Sequence, residues 1–392
     1  MEIKELVPKY KEFVRQLRRE FHQYPELSME EQETTKRIAT KLDEMGIPYT
    51  IDPEKNTGLV AVIKGNHPGK AVALRADIDA LPVTETTGLP FASKHPGKMH
   101  ACGHDTHISM LLGAARMLLD MKDEIYGTVY LDFQPAEELG IGASYMMRFG
   151  DWFDKVGAIF GGHIWPDIPA GTVGVRNGAF MAATDKFVIK IHGKQAHGSQ
   201  PQAGVDAVVV ASVLVMQLQT LVSRQFGAVQ PVVVTVGTIQ GGDRWNIVGG
   251  EAVLEGTTRY FERGLGKEIQ EKMERMVQST AVAYGATAEL DYQYIVPPTI
   301  NDDACTEIVR HAVAEVLGKD KIVEHDLVMG GEDFSYYQEK KAGSFMLVGT
   351  YNPACKAVYS NHSNNFTADE EILSGGSGVY AQTAIDWLKA NK

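Results

Sequence analysis

The amino-acid sequence predicts an α/β fold: a larger domain with a mixed sheet flanked by helices, and a smaller α+β domain inserted into it. Three observations lead there. Strand-like and helix-like segments alternate near the start of the chain and again after Pro297-Pro298, the pattern of a sheet with helices on its faces. Between them the order changes to strand, helix, strand, strand, helix, strand, which suits a four-stranded antiparallel sheet carrying two helices. The length of 392 residues also exceeds what one hydrophobic core usually serves. The expected domains are 1–180 and 295–392 for the larger one, with 181–294 between them.

Each element has its own signal. Residues 2–24 place Ile3, Leu6, Val7, Tyr10, Phe13, Val14, Leu17 and Phe21 at helical spacing. Ser28 and Glu31 have the spacing of a capping box for a second helix, and Gly46 stands where its C-terminus would fall. β-branched runs predict strands at 58–63 and 71–74, followed by a helix at 104–121 and strands at 128–133 and 156–160. In the middle domain strands are expected at 187–191, 232–238, 252–260 and 287–294, with helices at 206–221 and 268–283.

Charge and composition narrow the function. The formal charge is 38 − 50 = −12, with no Lys/Arg block, which argues against nucleic acid or an anionic membrane as partner. The N-terminal residues are charged throughout and lack the apolar core of a signal peptide. No uninterrupted apolar run reaches the roughly 18 residues of a membrane helix; the longest, around 207–215, has the length of a buried helix or strand. Three cysteines, Cys102, Cys305 and Cys355, do not make a disulfide framework. The cytoplasm is the expected location.

Three clusters carry chemistry. In His100-Ala-Cys-Gly-His-Asp-Thr-His107, Cys102 and His104 stand just before a helix, where a thiol is more readily ionised and able to bind metal. Asp77 and Asp105 are candidates to hold imidazole nitrogens from behind. Taken alone, the segment reads equally as a buried cysteine in an ordinary turn. Glu137 and Glu138 follow an apolar strand; they form either a solvated acidic turn or a metal ligand beside a proton carrier. His163, after Gly161-Gly162, closes another apolar run and is either a satisfied turn histidine or a third donor brought in at a strand end.

The order of these motifs resembles a known family. ALRADIDALPV (73–83), MHACGHDTH (99–107), FQPAEE (133–138), GGHIWP (161–166), GKQAHGSQP (193–201), MGGEDFS (329–335) and Asn361-His362-Ser363 are similar to the aminoacylase and carboxypeptidase-like dinuclear metallopeptidases. The branch it resembles contains hippurate hydrolase, N-acetyl-diaminopimelate deacetylase and the indoleacetyl-amino-acid hydrolases. The match runs from His22-Gln-Tyr-Pro-Glu26 to the tail at 366–373.

The resemblance implies a metal-dependent amidohydrolase that cleaves N-acyl amino acids to a carboxylic acid and a free amino acid. It implies two divalent ions per chain, Zn²⁺ or Mn²⁺ with Co²⁺ or Ni²⁺ as further candidates. Cys102 would bridge them, His104 and His163 completing one set of ligands and Glu138 and His362 the other. Glu137 matches the general base. His197 matches an oxyanion donor delivered from the middle domain of a partner subunit, which implies a homodimer, or a higher assembly, through a lid-like middle domain. Arg259 and Asn246 match positions that hold the substrate carboxylate, a task suited to the planar fork of Arg. Relatives often read Asn-Val-Ile-Pro where this chain has Asn246-Ile-Val-Gly-Gly, so a looser loop is expected there.

Rival readings remain. Cys102 as a thiol nucleophile needs a base in line with it, and His104 two residues on is poorly placed for that. A silent binding protein has no use for Glu137 as a proton carrier. A dipeptidase or carboxypeptidase is the nearest alternative within the family.

Overall fold

The computed structural model describes residues 2–392, which form two compact units. The larger comprises the chain up to Gly178 with Ile300–Asp326 and Asp333–Lys392; the smaller is Ala179–Thr299 with Leu327–Glu332. The short return segment was not readable from the sequence boundaries. It is held by Ala182 N–H donating to Val328 O and Gly330 O.

The larger unit is built on a mixed sheet of eight strands. Its centre is parallel: Tyr126–Gln134, His67–Asp77, Ala158–Pro169 and Ala342–Tyr351 lie side by side in that order. Tyr49–Ile51 and Leu59–Lys64 add antiparallel strands at one edge. Val173–Val175 and Ile322–Glu324 finish the other edge. Parallel strands at the centre aim their C-terminal ends one way, where open α/β sheets bind ligands. The strand holding His163 runs through to Pro169. This histidine therefore sits inside a strand, opposite Leu347, and not at a strand end.

Three helices, Ile3–His22, His104–Asp120 and Leu373–Ala390, pack together on this sheet. The middle one is buried along nearly its whole length. Gly113 makes its close approach feasible: a Cβ there would come within 2.3 Å of Ser377 Oγ and 2.6 Å of Val14. The helix Gln32–Met45 ends as expected at Gly46, which adopts φ +68. Its start differs from the expected capping box. Ser28 Oγ donates to Asp79 at 2.6 Å, and the Glu31 carboxylate accepts from Thr57 Oγ1 at 2.6 Å and from Ala136 N–H at 2.9 Å. Both side chains serve the floor of the sheet end instead of the helix.

The smaller unit has four antiparallel strands, Val232–Gly241, Glu251–Tyr260, Ala183–His192 and Thr287–Val296, in that order. Two helices, Ala207–Gln225 and Leu265–Ala283, cover one face. Among the described residues, Ala207–Gln225 is the one helix long and apolar enough to cross a membrane by length and composition. Only a third of it is buried, so the apolar run near 207–215 is not the wholly buried segment its length suggested. Val210, Ala211, Leu214, Leu218 and Leu221 face the sheet, while Val208, Val209 and Met216 are exposed.

Candidate metal centre

Five side chains of the larger unit converge on one place. Cys102, His104 and His163 offer donor atoms within 4.8 Å of one another, and so do Cys102, Glu138 and His362. The two groups share the Cys102 sulfur. Gly103 sets the first pair of donors: it adopts φ +93, a left-handed turn between Cys102 and the helix that opens at His104. A Cβ at this position would meet Ile164 at 2.3 Å.

Hydrogen bonds fix which nitrogen each imidazole presents. His104 Nδ1 lies 2.9 Å from Asp79 O and 3.1 Å from Asp79 Oδ1, so a proton belongs there and Nε2 is the nitrogen turned toward the other donors. That Nε2 faces Asp77 at 3.7 Å, Glu138 at 3.9 Å and Glu137 at 4.0 Å. His163 Nδ1 donates to Ile164 O at 2.6 Å, and its Nε2 lies 3.3 Å from Cys102 Sγ. His362 Nε2 is 3.5 Å from Glu138 Oε1.

The residues fit a cation. His104 Nε2 and Glu138 Oε1 are buried and have no hydrogen-bond partner, a costly arrangement in the absence of a positive ion. Burial and the charges of Glu138 and Glu137 push the Cys102 thiol well up; a coordinated ion reverses that and takes the thiolate outright. Burial opposes charge on His104, but Asp77 and Asp79 overcome it and hold its pKa well up. Burial and neighbouring His107 hold that of His163 well down. Sulfur, nitrogen and oxygen donors together suit a late divalent ion.

Behind the donors lies a buried lattice that the motifs only partly announced. Arg75, fully buried, donates to Asp77 at 2.8 Å, Gln134 at 2.9 Å and Asp333 at 2.9 Å. Asp77 accepts from His107 Nδ1, and His107 Nε2 accepts the Ile164 N–H at 2.9 Å. Asp77 therefore steadies the strand that carries His163. Asp105 does not hold a donor imidazole: it accepts from Arg18 Nε at 3.0 Å and His22 Nδ1 at 2.8 Å. Asp105 follows His104 in a helix, so it points about 100° away from it. Asp79 takes the task instead.

The other expected residues lie in the smaller unit. His197 is exposed, and its Nδ1 accepts from Ser199 N–H at 3.1 Å and lies 2.7 Å from Ser199 Oγ. The two residues after Asn246 form a short strand paired with Ala196–His197, and Gly198 N–H donates to Asn246 O at 2.8 Å. This segment is thus tied down and not the looser loop expected. Asn246 Oδ1 is buried without a partner. Its neighbour Trp245 is 89% exposed. Arg259, half-buried in Glu251–Tyr260, donates to Thr258 O at 2.9 Å and to Thr257 Oγ1.

A thiol, three imidazoles and paired carboxylates converging on one place form a candidate two-metal centre of the kind hydrolases use. The chain belongs to the peptidase family M20/M25/M40, whose description matches residues 73–386. It is 42% identical over 376 residues to an N-acetyl-L-cysteine deacetylase of Bacillus subtilis, covering 96% of this chain and 88% of that one. It is 38% identical over 385 residues to thermostable carboxypeptidase 1 of Saccharolobus solfataricus, covering 98% and 97%. Among solved structures, a dinuclear metal-binding peptidase of Bacillus subtilis superposes with a TM-score of 0.87 at 37% identity, covering 97% of this chain and 99% of that one.

Proposed function

We propose that this protein hydrolyses N-acyl amino acids, acetyl, benzoyl or similar, to a carboxylic acid and a free amino acid, using two divalent ions. The observation that carries the reading is the pair of three-donor groups sharing Cys102, with Glu137 beside His104 and Glu138. Cys102, His104 and His163 would hold one ion and Cys102, Glu138 and His362 the other, Zn²⁺ or Mn²⁺ being the first candidates. When bound, such ions polarise the scissile carbonyl and lower the pKa of a water from about 15.7 toward about 7. Glu137 takes that water's proton on a carboxylate oxygen and returns it to the leaving nitrogen. Asp79 would orient His104 for this work, while Asp77, through His107, steadies the strand that carries His163.

The smaller unit serves, in this reading, as lid and dimerisation domain. The open face of Ala207–Gln225, with Val208, Val209 and Met216 outward, would suit a two-fold contact with a second copy. Such a dimer would supply His197 to the neighbouring copy's oxyanion, while Arg259 and Asn246 would hold the substrate carboxylate. Three unpaired cysteines support action in the cytoplasm.

The deacetylase likeness favours acyl-amino-acid substrates; the carboxypeptidase likeness supports peptide cleavage as the second reading. A panel of N-acetyl, N-benzoyl and indoleacetyl amino acids beside plain dipeptides, assayed with Mn²⁺, Zn²⁺ and Co²⁺ separately, distinguishes them. Turnover of dipeptides alone would sink the first reading.

A further inference from the structure

The residue before His362 has no part in the chemistry above, yet its side chain reaches the sulfur that both donor groups share. Asn361 Nδ2 donates to Cys102 O at 3.0 Å and lies 3.7 Å from Cys102 Sγ, bridging 259 residues of sequence. An amide NH₂ has two hydrogens, so both contacts are served at once. The next backbone N–H, of His362, donates to Ala101 O at 2.8 Å. Two consecutive residues of the late loop are therefore fastened to two consecutive residues of the early one.

This fastening answers a conformational cost. His362 adopts φ +67, a left-handed backbone that the Cβ of a non-glycine residue disfavours. Its side chain is 56% exposed, so packing around the imidazole does little to hold that conformation. The bonds from Asn361 and His362 to 101–102 hold it from the backbone side. The sulfur gains as well: a thiolate that accepts an N–H is less basic and gives less charge to an ion.

We propose that Asn361 is a positioning residue of the metal centre, setting His362 against Cys102 and donating a hydrogen bond to the Cys102 thiolate. The inference rests on the assignment of Cys102 and His362 as donors made above. Outer partners of this kind typically alter metal affinity by about 10–100-fold.

The test is spectroscopic. The metal-free protein is reconstituted with Co²⁺ or Ni²⁺, and the sulfur-to-metal charge-transfer band and the affinity against a competing chelator are measured. In Asn361→Ala, and in Asn361→Leu, which keeps the shape but has no donor, the band moves to lower energy because the sulfur lone pairs rise. Affinity falls by about 10–100-fold in both. A band that stays in place in both variants overturns the hydrogen bond to sulfur, whatever happens to affinity. Wild-type protein without any such band removes Cys102 as a donor and the proposal with it. A wild-type band that neither variant moves sinks the proposal alone.

Discussion

The metal-binding end of the larger unit and the outer surface of the smaller one are built on opposite principles. In the first, four of the five candidate donors are held by a second bond: His104 by Asp79, His163 by its neighbour's carbonyl, Cys102 and His362 by each other's loops. In the second, the residues with most to offer stand open. Trp245 is 89% and Met216 70% exposed, and the His197 imidazole is exposed and bonds to Ser199 of its own turn. Buried chemistry must be pre-set because reorganising charges in a low-dielectric site is expensive. Recognition surfaces are left unfinished until something covers them.

The largest test of this contrast is removal of the ions. Chelation should abolish turnover and lower the melting temperature, since a ligand bound only by the folded state stabilises it by mass action. Turnover that survives chelation but dies on thiol alkylation would transfer the chemistry to Cys102 as nucleophile. Next, Glu137→Gln should keep both ions, read by elemental analysis, while losing about 10²–10⁴ in rate. Glu138→Gln should lose metal first. Near-normal turnover in Glu137→Gln removes the proton carrier.

The open surface is tested by mixing. Inactive His197→Ala and Glu137→Gln protomers, allowed to exchange, should recover part of the wild-type rate if sites are shared between copies. A mixture that exchanges yet stays inactive means that His197 acts within its own chain or not at all. Met216→Glu should shift sedimentation toward monomer, because a carboxylate in an apolar contact must be desolvated; an unchanged assembly moves the interface elsewhere.

The smallest effect lies deep in the larger unit. Burial raises Asp132 to about 7, although Tyr337 Oη–H donates to it at 2.6 Å. The folded chain holds a proton there that the unfolded chain releases near 3.8. Its contribution to stability is therefore full below that value and lost as pH rises through about 7. Asp132→Asn keeps an acceptor for Tyr337 and should flatten melting temperature against pH between about 4 and 7. An unchanged profile assigns the dependence to other groups.

What the sequence revealed follows the same division. The five residues that converge were legible because their motifs are chemically dense and stand in the order of the family they resemble. The lattice behind them was legible at Asp77 and missed at Arg75 and Asp79. Arg75, Asp77 and Asp79 alternate by two, which puts all three on one face of an extended segment, a signal that pointed to Asp79 as readily as to Asp77. The opposite periodicity misplaced Asp105, since adjacent helical residues diverge. Glu31 offered no signal at all: its partners, Thr57 and Ala136, are brought to it by the sheet. The return of Leu327–Glu332 to the smaller unit likewise depends on backbone bonds from Ala182 that no local pattern announces.

Strand order has a consequence for synthesis on the ribosome. Ala342–Tyr351 lies between Ala158–Pro169 and Val173–Val175 in the sheet, although the whole of Ala179–Thr299 is made before it. Chains emerge N-terminus first, at about 5–20 residues per second. For that interval Ala158–Pro169 presents a bare edge of unpaired amides and carbonyls, the feature that seeds pairing with a neighbouring nascent chain. The smaller unit, made nearly in one piece, has no such wait. Crowded translation should therefore cost this protein soluble yield through its larger half.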